Sequence, residues 1–506
     1  MRRFARDIVI IAGATAVSRL FGLARDIVIA DKFGAGTAYD AYLIAFYVPH
    51  FLRRLLAEGA LALSFIPVYT DYLKNDPREA SRLAANAINL SVLTFPLVIL
   101  AGIFLAPYFV PFLASGFSPS QQELTVELTR LIFPFIGIIG MAALVMGILK
   151  SKKTFFAPAF APVFFNVGVI VGAIFLGGFF SRPIFGLAAG VLLGGFGQLA
   201  FQVPYLKRSG FSWSPVIFPL HPGLKRALKM MAPVVIGLIA MQVNVMVDNK
   251  LASHLVAGSV SSLQYATRLY QLPLGLFAIA ISTAILPRLS EKWATGEQAN
   301  YAKMLNRGIK ISLLIVVPAT LGLFILGKPI IKLLFEHRNF LPSDTIRTAH
   351  VLHLYLVGLI GYSFVTLFSR AFYSMKDTIT PVVVSLVAVG VNVGLDLLLV
   401  GPMKVGGLAL ATGVSGVVNG FLLLIAFRSR TGLKGFLPAG SFLIKVLASV
   451  LVMGLAVSAV RLFAPLDSDF FVVALGVVAG VISYFCAGFV FGLKETYLEE
   501  LVQIGD

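Results

Sequence analysis

Long apolar runs separated by short, mostly basic connections set the pattern of this chain. About 20 apolar residues in an α-helix cross a ~30 Å hydrocarbon core. Runs of that order fall near residues 8–30, 38–72, 84–113, 124–149, 157–180, 184–206, 227–254, 263–290, 308–326, 346–374, 380–400, 406–427, 442–463 and 470–492. The pattern therefore predicts about fourteen transmembrane helices. The runs are too long for barrel strands and lack period-two alternation, so a transmembrane β-barrel is disfavoured. The expected fold class is an all-α polytopic membrane protein.

Composition agrees. The chain has 506 residues, 58% hydrophobic and 13% charged, with a mean hydropathy of +0.91. Its formal net charge is +18. In a soluble protein that excess would suggest nucleic acid, but here the cations sit between apolar runs. Those on the N-terminal side of the membrane include Arg2, Arg3, Lys74, Lys150, Lys152, Lys153, Lys207, Arg307, Arg428 and Lys494, against Lys32, Arg182, Lys328 and Lys404 opposite. The ratio is roughly three to one, which predicts cytoplasmic termini and an even number of spans. The single cysteine, Cys486, excludes a disulfide framework and a cysteine metal site. The opening MRRFARD resembles a signal-peptide start, but no small-residue cleavage site follows, so it reads as a retained first span.

The chain also repeats itself. GILKSKKTFFAPAFAPVFFNVG at 147–168 parallels RAFYSMKDTITPVVVSLVAVGVNVG at 370–394: a basic turn, a proline-bearing helix, then Asn-Val-Gly. FGLAAGVLLGG at 185–195 parallels GGLALATGVSG at 406–416, and LSFIPVYTDYL at 63–73 parallels ISTAILPRLSE at 281–291. The offset is about six spans each time, so the halves share orientation, as two bundles related by an axis along the membrane normal. Expected boundaries are a first lobe at 1–207, a cytoplasmic linker at 208–224, a second lobe at 225–430, and two further helices with a tail at 431–506.

The first two spans carry an anomaly. Arg19, Arg25, Asp26, Asp40, Arg53, Arg54 and Glu58 interrupt sequence that is otherwise apolar. A charge at the bilayer centre costs about 2.5–3.5 kcal/mol on insertion scales. Such a set implies a polar cavity or a ligand, whereas Lys32 snorkels to the headgroups. Arg19 and Asp26 share one helix face, and Ser18 and Arg25 a neighbouring stripe. Pro49 removes a backbone donor and should bend the second helix just before His50 and Arg53. Arg54 and Glu58 are spaced to pair, which leaves Arg53 to find Asp26, Asp40 or an anionic ligand. In the second half Arg268 precedes Pro273. Guanidinium groups bind phosphate bidentately and stay charged where water is scarce. The set thus suits a di-anionic or pyrophosphate headgroup; the alternative is salt bridges that close a gate, and both can hold together.

A second polar group comprises Asp248, Asn392, Asp396 and Thr412. Asn392 and Asp396 are four apart on one face. Carboxylates with amide and hydroxyl oxygens suit a hard cation, Na⁺, or a coupling H⁺; the alternative is that Asp248 pairs with Lys250 and Asp396 serves helix packing. No enzymatic constellation appears: the six histidines lack metalloprotease spacing, and no P-loop is present. A transporter rather than an enzyme is expected.

With those residues in hand, the chain resembles the MurJ/MviN family of lipid II flippases, within the multidrug/oligosaccharidyl-lipid/polysaccharide exporter superfamily. The resemblance covers essentially the whole chain. It is most specific in SRLFGLARDIVIADKFGAG, VPHFLRRLLAEGALALSFIP, KSKKTFFAPAFAPVFFN and YATRLYQLPLGLFAIAISTAILP. It implies a two-lobed, fourteen-helix, MATE-like fold with a central V-shaped cavity. Arg19, Arg25, Asp26, Asp40, Arg53, Glu58 and Arg268 map to cavity positions. The last two spans would form a groove for an undecaprenyl tail. The implied activity carries lipid II from the cytoplasmic to the periplasmic leaflet of the bacterial inner membrane by alternating access, in contact with the cell-wall synthesis machinery. The family often has Asn at His50, Asp at Thr267 and an acid at Gln271, so Arg268 has fewer acidic neighbours here. The rival reading is a cation-coupled multidrug exporter, or another lipid-linked oligosaccharide exporter, of the same fold. The arginines disfavour cationic drugs.

Overall fold

The computed structural model describes residues 2–53, 61–215, 219–463 and 468–494. Among them regular structure is entirely helical. In lipid every backbone N–H and C=O must be satisfied within the chain, and helices do this locally. Two compact units result: residues 1–261 with 337–340, and residues 262–336 with 341–506.

The first unit holds α1 (Arg2–Phe33), α2 (Thr37–Arg53), α3 (Leu61–Asn75), α4 (Pro77–Leu113), α5 (Pro119–Ile132), α6 (Phe135–Ser151), α7 (Phe156–Phe160), α8 (Pro162–Ile174), α9 (Ile184–Arg208) and α10 (Pro222–Ser253). Local chemistry sets several starts. Asp76 accepts the N–H groups of Arg78 and Glu79 at 2.9 and 3.2 Å, and Pro77 follows it, a standard N-cap with proline at the first helical position. Ser118 and Pro119 repeat the device at α5. Phe65, Tyr69, Leu83, Ile148, Leu149 and Leu206 pack one end of the unit. Helices α8 and α9 meet backbone to backbone. A Cβ on Gly168 would lie 2.2 Å from the Cα of Gly194, and one on Gly172 2.5 Å from the carbonyl of Gly186. Small residues serve membrane helices this way because lipid supplies no hydrophobic drive between them.

The second unit runs from α11 (Ser259–Pro273), whose first turn still belongs to the first unit, through a π-helical turn at Leu274–Ala278 into α12 (Ile279–Ala294). There follow α13 (Gln298–Phe335), α14 (Pro342–Leu356), α15 (Leu359–Ser374), α16 (Ile379–Met403), α17 (Val405–Thr431), α18 (Gly440–Phe463) and α19 (Asp469–Val490). Pro273, which follows Arg268 on α11, is where the α-helical register breaks into the π turn. Tyr301, Leu314, Phe368, Phe372 and Phe427 form this unit's core.

Ten helices among the described residues are long and apolar enough to cross a membrane, or eleven if α14 and α15, bent by 45°, count as one span. The all-helical polytopic fold is as expected, and the described residues do not confirm the count of fourteen. The runs at 8–30, 38–72 and 227–254 coincide with α1, with α2 and α3, and with α10, and none of these is among the ten. Outward faces are apolar, as in α4, where Leu97, Phe104 and Tyr108 are exposed, and α16, where Leu397 and Leu398 are.

The repeat is visible in one turn. After α6, Lys153 takes a φ of +59°; after α15, Lys376 takes +61°. Thr154 N–H donates to Leu149 C=O at 2.9 Å and Asp377 N–H to Phe372 C=O at 3.0 Å. Both are the long bond of a left-handed helix C-cap, which places the following helix similarly in each copy.

Candidate functional site

The charged pair of α1 is the most buried ionic feature of the first unit's opening helix. Arg25 donates from Nε and Nη2 to one oxygen of Asp26, Oδ1, at 3.0 and 2.7 Å. Their side chains are 15% and 10% exposed. Neighbours in sequence do not face each other on a helix, so the long arginine side chain folds back to reach Asp26. Nη1 donates to Asn166 Oδ1 on α8 at 3.0 Å, and Asn166 Nδ2 donates to the Ser18 carbonyl, two turns back on α1, at 3.1 Å. Of five guanidinium donors, three are engaged.

Asp40, on the first turn of α2, is 2% exposed. It accepts the N–H of Gly258 at 2.6 Å, the N–H of Ser261 at 2.8 Å and the Ser261 hydroxyl at 2.5 Å. It therefore caps the start of α11, where helix N–H groups otherwise lack partners and the dipole favours an anion. Arg53 is half-buried at the end of α2. His50 lies with its ring 5.4 Å from Phe46, and Pro49 is held within α2. Arg19 is exposed on α1. Glu58, with Arg54, lies outside the described residues.

In the second unit Arg268 is half-buried on α11, beside the buried Tyr265, Leu269 and Tyr270. Tyr270 stacks on Tyr355 at 5.5 Å and meets Tyr362 edge-on at 6.0 Å. Asn392 and Asp396 on α16 are both fully buried. Neither amide atom of Asn392, nor the Thr412 hydroxyl on α17, has a hydrogen-bond partner among the described residues. Asp248 belongs to α10 in the first unit. Among the described residues no three His, Cys, Asp or Glu side chains cluster as metal ligands.

Helix-face spacing sets Asp26 with Arg19 and Arg25 on a neighbouring stripe, so it finds neither the Arg25–Asp26 pair nor Asn166 as the partner of Arg25. The only mark of Asn166 was its place in Asn-Val-Gly, the motif that closes the repeated helix. Ser261, the partner of Asp40, carried no signal at all.

A family profile described as "Lipid II flippase MurJ" matches residues 29–477. Among curated proteins, the chain is 35% identical over 432 residues to the "Probable lipid II flippase MurJ" of Vibrio cholerae, covering 83% of this chain and 82% of that one. It is 36% identical over 411 residues to the protein of that name in Thermotoga maritima, with 81% and 82% covered. It is 33% identical over 433 residues to the "Lipid II flippase MurJ" of Burkholderia cenocepacia, with 84% of each covered. Among solved structures, "Lipid II flippase MurJ, inward closed conformation" superposes with a TM-score of 0.83 at 28% identity, covering 97% of this chain and all of that one. An inward-facing multidrug MATE transporter superposes at 0.68 with 18% identity, over 82% and 94% of the chains, which shows a shared fold alone.

Proposed function

The chain belongs to the MurJ family of lipid II flippases, and from that membership we propose how its buried charges handle the lipid. It is a multi-pass membrane protein that moves lipid II across the bilayer. The direction is from the cytoplasmic to the periplasmic leaflet of the bacterial inner membrane, by alternating access, and the excess of basic connections on one side supports cytoplasmic termini.

The observation that carries the site is the Arg25–Asp26–Asn166 arrangement. A guanidinium that is nearly buried keeps its charge, and two donors remain to engage phosphate oxygens. Arg25 is the principal pyrophosphate ligand of the first unit, and Arg53 a second cation on α2. Arg268, on α11 of the second unit, is a candidate cation of the same chemistry. Asp26 holds Arg25 directly and the Ser18 carbonyl acts on it through Asn166; Arg19 and His50 are further candidate headgroup contacts, and Asp40 fixes the start of α11. Asn392, Asp396 and Thr412 form the candidate cation set, with oxygen donors suited to Na⁺; Asp248 supplies a carboxylate in the first unit. An exporter of cationic drugs would gain nothing from buried arginines.

The test of this function is lipid II accessibility at the outer leaflet in bacteria depleted of their own flippase. Cells supplied with this chain should expose lipid II at the rate of undepleted cells. Accessibility that stays at the depleted level, with the chain present in the membrane, refutes the function.

A further inference from the structure

We propose that Asn166 is a positioning residue that holds Arg25 ready for the pyrophosphate without cancelling its charge. The inference rests on the headgroup role given to Arg25 above. Asp26 engages Nε and Nη2 through a single oxygen, which pins one edge of the guanidinium. The other nitrogen, Nη1, is held by Asn166 Oδ1 at 3.0 Å. The amide's own orientation is fixed by the bond from Nδ2 to the Ser18 carbonyl at 3.1 Å. Turned the other way, it would set its NH₂ against a cation and its C=O against a C=O. Asn166 is 6% exposed, so both of its polar ends need these bonds.

The choice of an amide is what makes this a device for binding an anion. Arg25 and Asp26 together are neutral. A second carboxylate at position 166 would grip Nη1 more strongly but would leave the group net negative, and a pyrophosphate would be repelled. An asparagine oxygen orients the guanidinium and leaves the charge balance unchanged. The repeat reinforces the point. The matching residue of the second half, Asn392, is also buried, yet no arginine engages its amide among the described residues. The asparagine is common to both copies, and its use as an arginine rest belongs to the first.

The experiment uses the purified full chain in lipid nanodiscs, with farnesyl pyrophosphate as the probe. Asn166→Ala should weaken binding about tenfold, the size of one lost hydrogen bond to a charged group. Asn166→Asp also replaces the Nδ2 donor with an oxygen facing the Ser18 carbonyl, so it should weaken binding further than Asn166→Ala, with both variants compared well below their melting temperatures. In an Arg25→Ala background, Asn166→Ala should add no further loss. Parent-like binding in Asn166→Asp, or losses that multiply in the double variant, would overturn the proposal, since a merely structural residue gives the second pattern. If Arg25→Ala alone binds like the parent, the headgroup reading falls and this one with it. If Arg25→Ala loses binding and Asn166→Ala does not, only the role of Asn166 falls.

Discussion

The carboxylate of Asp40 receives both the backbone N–H and the side-chain hydroxyl of Ser261, 221 residues further along the chain. With the Gly258 N–H it closes three donors at the start of α11. Asp40→Ala would leave those donors buried and unpaired. A loss of about 2 kcal/mol is expected, the upper range for a helix cap, seen as a lowered thermal midpoint of the intact chain in detergent. Asp40→Asn retains one acceptor oxygen and should lose about half as much. An unchanged midpoint in Asp40→Ala would show that the cap contributes nothing.

The twin turns after α6 and α15 each hold a lysine in the left-handed region. An L-residue there carries a cost that glycine avoids. Lys153→Gly and Lys376→Gly should each raise stability by about 0.5–1 kcal/mol. The two belong to different units, so the gains should add. A loss from either variant would mean that the lysine side chain, and not its backbone, sets the turn.

Steric contact decides the α8–α9 seam. A Cβ on Gly194 would stand 2.5 Å from the Phe165 carbonyl, whereas one on Gly178 meets nothing within 4 Å. Gly194→Ala should cost about 1–3 kcal/mol, the range for overpacking. Gly178→Ala should be close to neutral. Equal midpoints for the two variants would contradict the backbone-to-backbone packing.

The connection between α12 and α13 has a pH signature. Asn300, Thr295 and Lys292 all donate to Glu297, and bring its pKa down to about 2 from the usual 4.5. A depressed carboxylate stabilises the fold above its unfolded pKa, and that stabilisation is lost as pH falls through the folded one. Trp293 packs edge-on against Tyr301 at 5.4 Å and reports on this turn. With Trp213, the other of the two tryptophans, changed to Phe, emission should hold steady from pH 7 to about 4.5 and then shift between about 4.5 and 2. A Glu297→Gln variant should show no such step. A step near pH 6 would point to another group.

Which features could be read from sequence follows from how far their causes reach. The apolar runs and the paired turns at Lys153 and Lys376 depend on residues within a few positions, so periodicity and the repeat expose them. The break of the 346–374 run into α14 and α15, and of 124–149 into α5 and α6, carried weaker marks, since long apolar runs look alike whether bent or straight. The partners of Arg25 and Asp40 were out of reach. Asn166 is 141 residues from Arg25, and Ser261 is 221 from Asp40. A buried charge announces that it needs a partner, but the partner is chosen by tertiary packing. Face arithmetic on α1 placed Arg25 and Asp26 on neighbouring stripes, and the flexible arginine stem overrode it to form a pair between adjacent residues.

If Arg25 carries the pyrophosphate during transport, its loss should show in the outer-leaflet accessibility of lipid II. In depleted cells supplied with equal amounts of each variant, Arg25→Ala should lower the rate of exposure by roughly 10- to 150-fold, the span of one charge-assisted contact. Arg25→Lys should recover only part of it, because a point charge does not reproduce the fork. Exposure at the parental rate in Arg25→Ala would contradict the account.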